Sequence, residues 1–456
     1  MYKKNAWSKY NGQELKNLMD FCDEYKDFIS LCKTERECVS YSVDLIEKLG
    51  FKNYESLKSL NPGDKVYAVN KNKNICVFVI GDEPLEKGLN VLGAHIDSPR
   101  IDIKQNPLYE SNGYAMLDAH YYGGIIKYQW VTIRLAIHGV VCLKDGSIKN
   151  INIGENPEDP VLVITDLLPH LGAEKLQKAG AKVIEGEDLD ITVGSIPLSG
   201  EEKESVKKNI LKIIKEKYGF EEEDFVSAEF EIVPEGKARD LGLDRSMILG
   251  YGHDDRVCAY TSLRAVLDAG KCKRTTCAYL VDKEEVGSIG ATGAHSEWFK
   301  DVLAELINLQ NNNYNELLLK RCLTNTFMLS SDVSAAFDPL YPSVFEKKNA
   351  CYLGEGITFN KYTGARGKSG CNDAMPEYMA KVRKIMDDNN INYQTAELGK
   401  VDVGGGGTIA YIMGNYNMNV IDAGVPVLSM HAPQEAVSKA DVYEAYKAYI
   451  AFVKEA

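Results

Sequence analysis

The sequence predicts an α/β fold that is interrupted by a mostly β insertion. Two observations support this prediction. After residue 246, buried strand-like runs alternate with helical patterns, which is typical of an α/β domain. Before that point, residues 101–245 are rich in β-branched and aromatic residues and contain several turn signals. We therefore predict one main domain in two parts, 1–100 and 246–456, split by an inserted domain at 101–245.

Length, composition and charge indicate a globular protein. The chain has 456 residues, of which 45% are hydrophobic and 26% are charged, as in ordinary globular domains. Its net charge of −13 argues against nucleic acid or an anionic membrane as the main partner. No apolar run approaches the roughly 18 residues that a membrane span requires.

The cysteine content favours a reducing compartment. There are 11 cysteines, an odd number, and no CxxC pair, which argues against a disulfide framework and against a thiolate zinc site. The first residues, MYKKNAWSKYNG, are polar and lack the apolar segment of a signal peptide. We therefore expect a cytoplasmic protein.

The first hundred residues combine helices and strands. Residues 14–48 show apolar residues at helical spacing. VYAVN and ICVFVIG, separated by the polar turn KNKN, predict a hairpin. NVLGAHIDSPR, at 90–100, then predicts a buried strand that Ser98-Pro99 ends, because proline cannot donate to a ladder.

The insertion shows mostly strand patterns. A hairpin is predicted around the turn Asp145-Gly146, and an alternating strand at 226–234. PVLVITDLLPHLG, at 160–172, predicts a further strand and then a short polar break around Pro169 and His170. Residues 201–218 predict an amphipathic helix whose charges form a solvated face.

The second part of the main domain alternates helices with buried strands. GHDDR precedes an apolar helix, and a final amphipathic helix starts near Ser438, a suitable N-cap. Between them, TTCAYLVDKEE, TFMLSSD and NVIDAGVPVLSMH predict three strands that end at Glu284, Asp332 and His431.

His95 and Asp97 stand at the end of the strand in 90–100. Residues i and i+2 of an extended chain point the same way, so both side chains are directed together. The imidazole can bind a metal ion while the carboxylate orients the ring. An ordinary His–Asp hydrogen bond at a strand end explains these two residues equally well.

Residues of metal-ligand type follow several other predicted elements. In open α/β sheets, ligands bind outside the carboxyl ends of the strands, so these side chains would meet in one crevice. Capping of the next helix explains any single carboxylate, but the joint pattern favours a metal site. The candidates are His95, Asp97, Asp254, Asp255, Glu284, Glu285, Asp332 and His431.

These residue types suit a pair of divalent ions. Two histidines and three carboxylates can hold two ions, with one carboxylate bridging both. We expect zinc, with cobalt or manganese as alternatives. Ions about 3.5–4 Å apart share a water whose pKa falls towards about 7. A carboxylate that binds no ion would act as general base, and Glu284 and Glu285, adjacent in an extended segment, can divide these roles.

The motifs AHIDSP, HDDR, DKEEVGS, SSD and SMHAPQE, in this order, resemble the aspartyl aminopeptidase family of two-metal exopeptidases. The resemblance extends from about residue 90 to the carboxyl terminus and includes the position of the insertion. It implies an α/β mixed-sheet core with helices on both faces and an inserted dimerisation domain. It also implies a zinc-dependent aminopeptidase that removes N-terminal residues from small peptides.

The resemblance also implies a role for each candidate residue. Asp97 would stand behind His95, and Glu284 would be the general base. The implied metal ligands are His95, Asp254 as the bridging carboxylate, Glu285, Asp332 and His431.

The family's inserted domain forms dimers that assemble into a hollow dodecamer with interior active sites. A similar homo-oligomer would admit small peptides and exclude folded proteins. Family members carry a histidine in the insertion that reaches an active site of a neighbouring subunit, which makes His170 a substrate-binding or extra metal-ligand candidate. Its place after Pro169, at the end of an element, equally suits a structural or surface histidine.

Other classes of function stay open. A two-metal deacylase or carboxypeptidase would use the same ligand types. A non-catalytic binding protein on the same fold is disfavoured, because every ligand type and the candidate base are present. An Asp or Glu preference is also open, since no cation of the loop near 361–368 matches a family pocket residue. The candidates there are Lys361, Arg366 and Lys368.

Two glycine-rich stretches do not match a nucleotide-binding motif. GARGKS, at 364–369, resembles a phosphate-binding loop but has Tyr362 where that loop needs a glycine. The run Gly404–Gly407 either approaches a substrate through its backbone amides or forms a tight turn.

Overall fold

The computed structural model describes residues 5–366 and 369–456 of the chain. Lys368, one of the candidate pocket cations, lies outside these residues. Among the described residues, no helix is long and apolar enough to cross a membrane.

The chain divides into two compact units, termed the core unit and the insertion unit. The predicted insertion, 101–245, shares residues 101–237 with the insertion unit. The core unit comprises the chain up to Asp97, Ala238–Met430 and Glu435–Ala456, and the insertion unit comprises Ser98–Lys237 and His431–Gln434.

The strands of the described residues belong to three sheets. In chain order they are β1 (Lys52–Asn53), β2 (Lys65–Asn70), β3 (Asn74–Val79), β4 (Leu89–His95), β5 (Arg100–Ser111), β6 (Tyr114–Tyr122), β7 (Leu135–Cys142), β8 (Ile148–Ile153), β9 (Ile191–Gly194), β10 (Ala228–Pro234), β11 (Arg239–Leu241), β12 (Met247–Gly250), β13 (Thr275–Val281), β14 (Phe327–Ser330), β15 (Ser334–Ala335), β16 (Ile357–Asn360), β17 (Tyr393–Ala396), β18 (Asn419–Gly424), β19 (Pro426–Leu428) and β20 (Glu435–Ser438).

Several helices begin at residues that suit a helix start. Thr34 and Glu37 form a reciprocal capping box, in which the Thr34 side chain accepts from the N–H of Glu37. Ser438 precedes the last helix, as predicted, although its side chain makes no capping hydrogen bond. The helices are α1 (Gly12–Leu31), α2 (Glu35–Lys48), α3 (Ser205–Ile213), α4 (His253–Asp268), α5 (Trp298–Asn311), α6 (Glu316–Asn325), α7 (Pro376–Asp388), α8 (Ala410–Asn415) and α9 (Lys439–Glu455).

The largest sheet of the core unit is mixed. Its strand order is β1-β2-β3-β13-β4-β14-β18-β16-β17. The central strands β13, β4, β14 and β18 are parallel, whereas β3 and β16 run antiparallel to their neighbours β13 and β18. The carboxyl ends of the four central strands therefore lie at the same end of the sheet, where ligands bind in such folds.

Helices cover both faces of this sheet. Along β13, Ala278 and Leu280 join a hydrophobic core with α1, α2, α4, α7 and α9. Cys277 and Tyr279 join a separate core with α5, α6 and α8. Because successive residues of a strand point to opposite faces, the two helical layers lie on opposite sides of the sheet. The predicted α/β fold is confirmed.

A smaller sheet of the core unit leads into α4. Its strand order is β11-β12-β20-β19-β15. In the antiparallel pair β12–β20, Gly250 lies opposite Glu435. Glu435 therefore stands beside the chain just before it enters α4.

The insertion unit contains an antiparallel sheet with the order β8-β7-β10-β5-β6-β9. The hairpin predicted around Asp145 is formed by β7 and β8. The helix predicted over 201–218 begins at Ser205, and after Ile213 it continues as a π-helical turn to Tyr218.

The strand predicted in 160–172 does not form. Only the isolated bridges Leu135–Leu162 and Val163–Thr192 involve this described segment. Residues 165–171 are exposed, so their side chains do not pack against the sheet of the insertion unit as those of a strand would. Around Pro169 and His170, where the break is predicted, the chain forms a turn, and proline has no N–H to donate to a ladder.

The single strand predicted to end at His431 instead forms β18 and β19, which belong to different sheets. At Gly424, the last residue of β18, a Cβ atom would lie 1.6 Å from the carbonyl oxygen of Asp332. The chain leaves the larger sheet after this close contact. β19 ends at Leu428, so His431 follows in a loop and does not end a strand.

Candidate active site

Three neighbouring strands of the core unit bring candidate side chains to one place. β4 ends at His95, which is in register with Val281, the last residue of β13. On the other side of β4, Gly93 is in register with Ser330, the last residue of β14. The residues that follow these strands therefore emerge side by side, and they include Asp97, Glu284, Glu285 and Asp332.

His95 is 2% exposed and is held on both sides of its ring. Its Nδ1–H donates to the carbonyl oxygen of Asp97 at 2.9 Å, and Nδ1 lies 3.3 Å from Asp97 Oδ1. In a neutral imidazole this leaves a lone pair on Nε2, which faces Asp254 Oδ1 at 3.1 Å. Two electron-pair donors at this distance require a proton or a cation between them.

The carboxylate of Asp97 also holds the two glutamates. Its Oδ1 accepts the N–H of Glu284 at 3.1 Å, and its Oδ2 accepts the N–H of Glu285 at 3.1 Å. The sequence predicts Asp97 only behind His95. The structure adds a second contact, to the segment that carries the candidate general base.

Glu284 and Glu285 lie in a 3-10 turn, Glu284–Val286, and not in the extended segment expected from the sequence. Lys283 and Gly287 flank this turn with φ of 70° and 94°. The turn, and not strand alternation, therefore sets the directions of the two side chains. Possible ligand atoms of His95, Glu284 and Glu285 lie within 4.8 Å of one another.

Asp254 lies at the start of α4, where its φ of −78° and ψ of 105° are not helical. Its N–H donates to Glu435 Oε2 at 3.0 Å. Possible ligand atoms of His95, Asp254 and Asp332 lie within 4.8 Å of one another. Asp255 instead accepts the backbone N–H of His95 at 3.3 Å, so Asp254 is the aspartate that faces the imidazole.

A buried arginine fixes the backbone just before Asp254. Arg256 is fully buried and donates to the carbonyl oxygens of Gly252, Cys32 and Tyr251 at 3.1, 3.0 and 3.4 Å. Gly252 has a φ of 74°, and a Cβ atom there would lie 1.5 Å from Arg256 Nη2. Glycine is therefore needed for the backbone conformation and for the room it leaves.

The site holds more negative charge than one imidazole can balance. Burial opposes protonation of His95, but the carboxylates of Asp254, Asp97 and Asp255 outweigh it and raise its pKa. Burial, reinforced by the Asp255 carboxylate, raises the pKa of Asp332. Burial likewise raises the pKa of Asp255. A bound cation would offset this repulsion between carboxylates.

The two remaining predicted residues belong to the insertion unit. His431 has a φ of 65°, and its Nδ1–H donates to the carbonyl oxygen of Gly124 at 3.0 Å. His170 lies in an exposed turn, which the Leu171 N–H closes by donating to the carbonyl oxygen of Leu168 at 3.1 Å. The other predicted site residues all lie in the core unit.

Glu435 and Arg256 have roles that the motifs alone do not reveal. Glu435 is the last residue of the motif SMHAPQE, and Arg256 is the last residue of the motif HDDR. Neither faces the imidazole directly, because each holds backbone atoms of the chain around Asp254. Their position beside a predicted ligand is the one sequence signal that points to them.

The donor set fits a divalent cation. His95 Nε2 and Asp254 Oδ1 are 3.1 Å apart, a separation suited to two ligands each about 2.0–2.1 Å from one zinc ion. Asp332 shares one group of ligand atoms with them, and the glutamates share another with His95. The Nδ1–H of His95 is held by Asp97, as is usual for a histidine that binds metal through its other nitrogen.

Comparison with known proteins gives one family. The profile of the family described as Aminopeptidase I zinc metalloprotease (M18) matches residues 28–453. A Clostridium acetobutylicum protein described as a probable M18 family aminopeptidase 1 is 59% identical over 455 residues, 99% of this chain and 98% of its own. A Thermotoga maritima protein of the same description is 47% identical over 452 residues, 98% of each chain.

Solved structures agree with this result. The M18 aminopeptidase of Thermotoga maritima matches with a TM-score of 0.97 and 45% identity, and aminopeptidase I of Clostridium acetobutylicum with 0.93 and 57%, each over 100% of both chains. The mApe1 dodecamer of S. cerevisiae, 22% identical, shares the fold with a TM-score of 0.77 over 96% of this chain and 97% of its own. The predicted family is confirmed: the chain belongs to the M18 family of zinc metalloproteases and is a zinc-dependent aminopeptidase.

Proposed function

We propose that the protein hydrolyses N-terminal residues from small peptides at a centre of two divalent ions. The supporting observation is the 3.1 Å approach of His95 Nε2 to Asp254 Oδ1, with Asp332 in the same group of ligand atoms. Zinc is the expected ion, and cobalt or manganese would fit the same nitrogen and oxygen donors.

Each ligand has a proposed place. His95 and Asp332 would hold one ion, Glu285 and His431 would hold the other, and Asp254 would be a ligand of both. The common group of His95, Asp254 and Asp332 supports the first assignment. The approach of a Glu285 oxygen to the same region supports its role. His431 is assigned from its residue type and its place in the motif SMHAPQE.

The residues around the ions would divide the chemical work. Divalent ions held there would supply polarisation of the scissile carbonyl and a lower pKa for the attacking water. Glu284 would accept the proton of the attacking water and pass it to the leaving amine. Asp97 positions both groups, because its carbonyl oxygen orients the His95 ring and its carboxylate accepts the N–H of Glu284.

The preferred N-terminal residue depends on the first side-chain pocket. An Asp or Glu preference would require a cation there. Among the described candidates, Lys361 is partly buried with its ammonium 3.0 Å from the Tyr362 hydroxyl, and Arg366 is exposed. Since neither matches a family pocket residue, we propose a preference that extends beyond Asp and Glu.

We also propose a cytoplasmic homo-oligomer in which the insertion unit forms dimers, as part of a dodecamer like that of the S. cerevisiae relative. Leu167, Leu168 and Leu171 are 49%, 49% and 69% exposed. An exposed apolar segment of this kind is typical of a protein interface. His170 lies within it, which supports a role in the substrate site of a neighbouring subunit.

A substrate profile tests the proposed function. Purified protein is supplied with zinc, cobalt or manganese and assayed on aminoacyl-p-nitroanilides covering all N-terminal residues, with metal content measured on the same sample. Hydrolysis should disappear with a chelator and return with metal, and N-acetylated substrates should resist. Cleavage of acylated amino acids, or release of carboxyl-terminal residues, would instead show a deacylase or a carboxypeptidase. Absence of both bound metal and hydrolysis would refute the proposal.

A further inference from the structure

A groove of about 1170 Å³ lies in the core unit, between α7, β17 and the segment 347–355. We term it the basic groove. It differs from the candidate active site in position, since β17 is three strand positions away from β14 in the sheet order. At about 4.8 Å per position, this is roughly 14 Å from the strand that leads to Asp332.

One wall of the basic groove is a single face of α7. Pro376, Met379, Ala380 and Arg383 all line the groove. Their spacing of three, four and seven residues places them on one side of a helix. The wall therefore offers apolar surface that ends in a guanidinium.

The opposite wall is tied to the strand by hydrogen bonds. The Gln394 side chain accepts the N–H of Tyr352 at 2.9 Å through Oε1. Its Nε2 donates to the carbonyl oxygens of Tyr352 and Gly356 at 2.9 and 3.1 Å. Gln394 is buried, so the groove is built into the fold and does not depend on surface side chains alone.

The charge of the groove is opposite to that of the whole chain. Lys347, Lys348, Lys361 and Arg383 line it together with one carboxylate, Glu355, whereas the chain has 66 acidic and 53 basic residues. Within residues 5–366 and 369–456, none of these four cations is ion-paired with a carboxylate. Concentrated charge in a concave surface attracts ligands of opposite sign.

The last strand of the larger sheet contributes to the floor of the groove. β17 is the last strand in the sheet order, and no strand of the described residues pairs with its outer side. Tyr393, Gln394 and Thr395 of this strand line the groove. An extended peptide can add to such an edge through main-chain hydrogen bonds.

We propose that the basic groove binds an acidic peptide segment in an extended conformation. The cations would attract its carboxylates, and the strand edge would pair with its backbone, a combination that favours a peptide over other polyanions. Binding here would not require hydrolysis, so it stands apart from the proposed peptidase function.

Fluorescence polarisation with the full-length protein tests this proposal. The probe is a short N-acetylated, fluorescent peptide of alternating Glu and Thr, and the same peptide with Gln in place of Glu is the neutral reference. The groove variant is Lys347→Glu/Arg383→Glu. The matched control is Lys52→Glu/Lys58→Glu, which makes the same change in charge at exposed lysines outside the groove. Melting temperatures of both variants are measured alongside.

The acidic peptide should bind, and added salt should weaken binding. The groove variant should weaken it by at least about tenfold, whereas the control should change it less than about twofold. If the groove variant does not fold, Lys348→Glu alone should weaken binding. Equal weakening by both double variants, equal binding of the neutral peptide, or equally tight binding of a single-stranded oligonucleotide would overturn the proposal.

Discussion

The carboxylate of Asp97 accepts the backbone N–H of Glu284 at 3.1 Å, although the two residues are 187 positions apart in the sequence. The carbonyl oxygen of the same aspartate accepts the Nδ1–H of His95. One residue therefore holds a candidate metal ligand and the candidate general base at the same time.

Asp97→Asn should impair metal binding and catalysis together. The amide offers one oxygen in place of two, so its NH₂ group would face the N–H of Glu284 or Glu285. We expect metal affinity to fall about 10–100-fold, measured by metal titration, with a fall in kcat. Asp64→Asn is the control, because Asp64 also accepts a backbone N–H, that of Asn61 at 2.7 Å, in an exposed turn. Unchanged metal affinity in Asp97→Asn would contradict the positioning role.

Glu284→Gln should separate metal binding from turnover. Glutamine keeps the size of the side chain but cannot take up a proton. Metal content should stay near that of the unsubstituted enzyme, while kcat should fall roughly 10²–10⁴-fold. The control is Glu297→Gln, at an exposed position. A near-normal kcat would show that Glu284 is not the base.

Gly424→Ala should disturb Asp332. The added Cβ atom would lie 1.6 Å from the Asp332 carbonyl oxygen, so the backbone must move. Overpacking of this kind lowers the free energy of unfolding by about 1–3 kcal/mol, and metal content should also fall. Gly180→Ala is the control, since a Cβ atom there meets nothing within 4 Å. Chemical denaturation and metal analysis give both readouts, and equal results for the two variants would rule out the close contact.

Arg256→Lys should weaken the start of α4. The guanidinium satisfies three buried carbonyl oxygens, and a lysine ammonium on a flexible stem cannot reach all of them. Leaving a buried acceptor unpaired costs about 1–3 kcal/mol, so the melting temperature should drop, with weaker metal binding. Arg264→Lys is the control, because Arg264 lies on the same helix but is partly exposed. It should lower the melting temperature and weaken metal binding less than Arg256→Lys does. The expectation fails if Arg264→Lys is the more damaging substitution.

Asp422 should make stability depend on pH. It is 3% exposed, and burial raises its pKa to about 6 against the opposing effect of the hydroxyls of Thr408, Ser330 and Thr363. Between about pH 4 and pH 6 the folded state therefore keeps a proton that the unfolded state, with a carboxyl pKa of 3.8, has lost. The stabilising contribution is fully present below about pH 4 and is lost as pH rises through about 6.

The Asp422→Asn variant checks this dependence, because an amide stays neutral at every pH used. Between about pH 5 and pH 7.5, the unsubstituted protein should lose roughly 1.4 kcal/mol of unfolding free energy relative to the variant. Urea denaturation at both pH values measures the difference. Parallel pH profiles for the two proteins would show that Asp422 is ionised throughout.

Much of the fold could be predicted because local patterns encode it. The helical spacing over 14–48, the hairpin of β2 and β3, and the apolar runs of β4, β13 and β14 are all visible in the sequence. The ordered motifs indicated the family, which the matched profile over 28–453 confirms.

The secondary-structure predictions that were wrong failed because they depend on contacts between residues that are distant in the sequence. The apolar stretch in 160–172 has strand-like residues, but within the described part of the chain it pairs only through two isolated bridges, at Leu162 and Val163. The run that ends at His431 divides at Gly424 because the chain meets the backbone of Asp332 there. Glu284 and Glu285 form a turn because Asp97 accepts both of their N–H groups.

The sequence by itself determined the family, the alternation of strands and helices, and the kinds of side chain that follow the strands, because these depend on neighbouring residues and on ordered motifs. Only the tertiary structure decided which atoms position the side chains of the candidate site. The contacts of Asp97 with Glu284, Glu435 with Asp254, and Gly424 with Asp332 join residues far apart in the chain. Such contacts depend on strand order and close packing, which no local pattern of residues specifies.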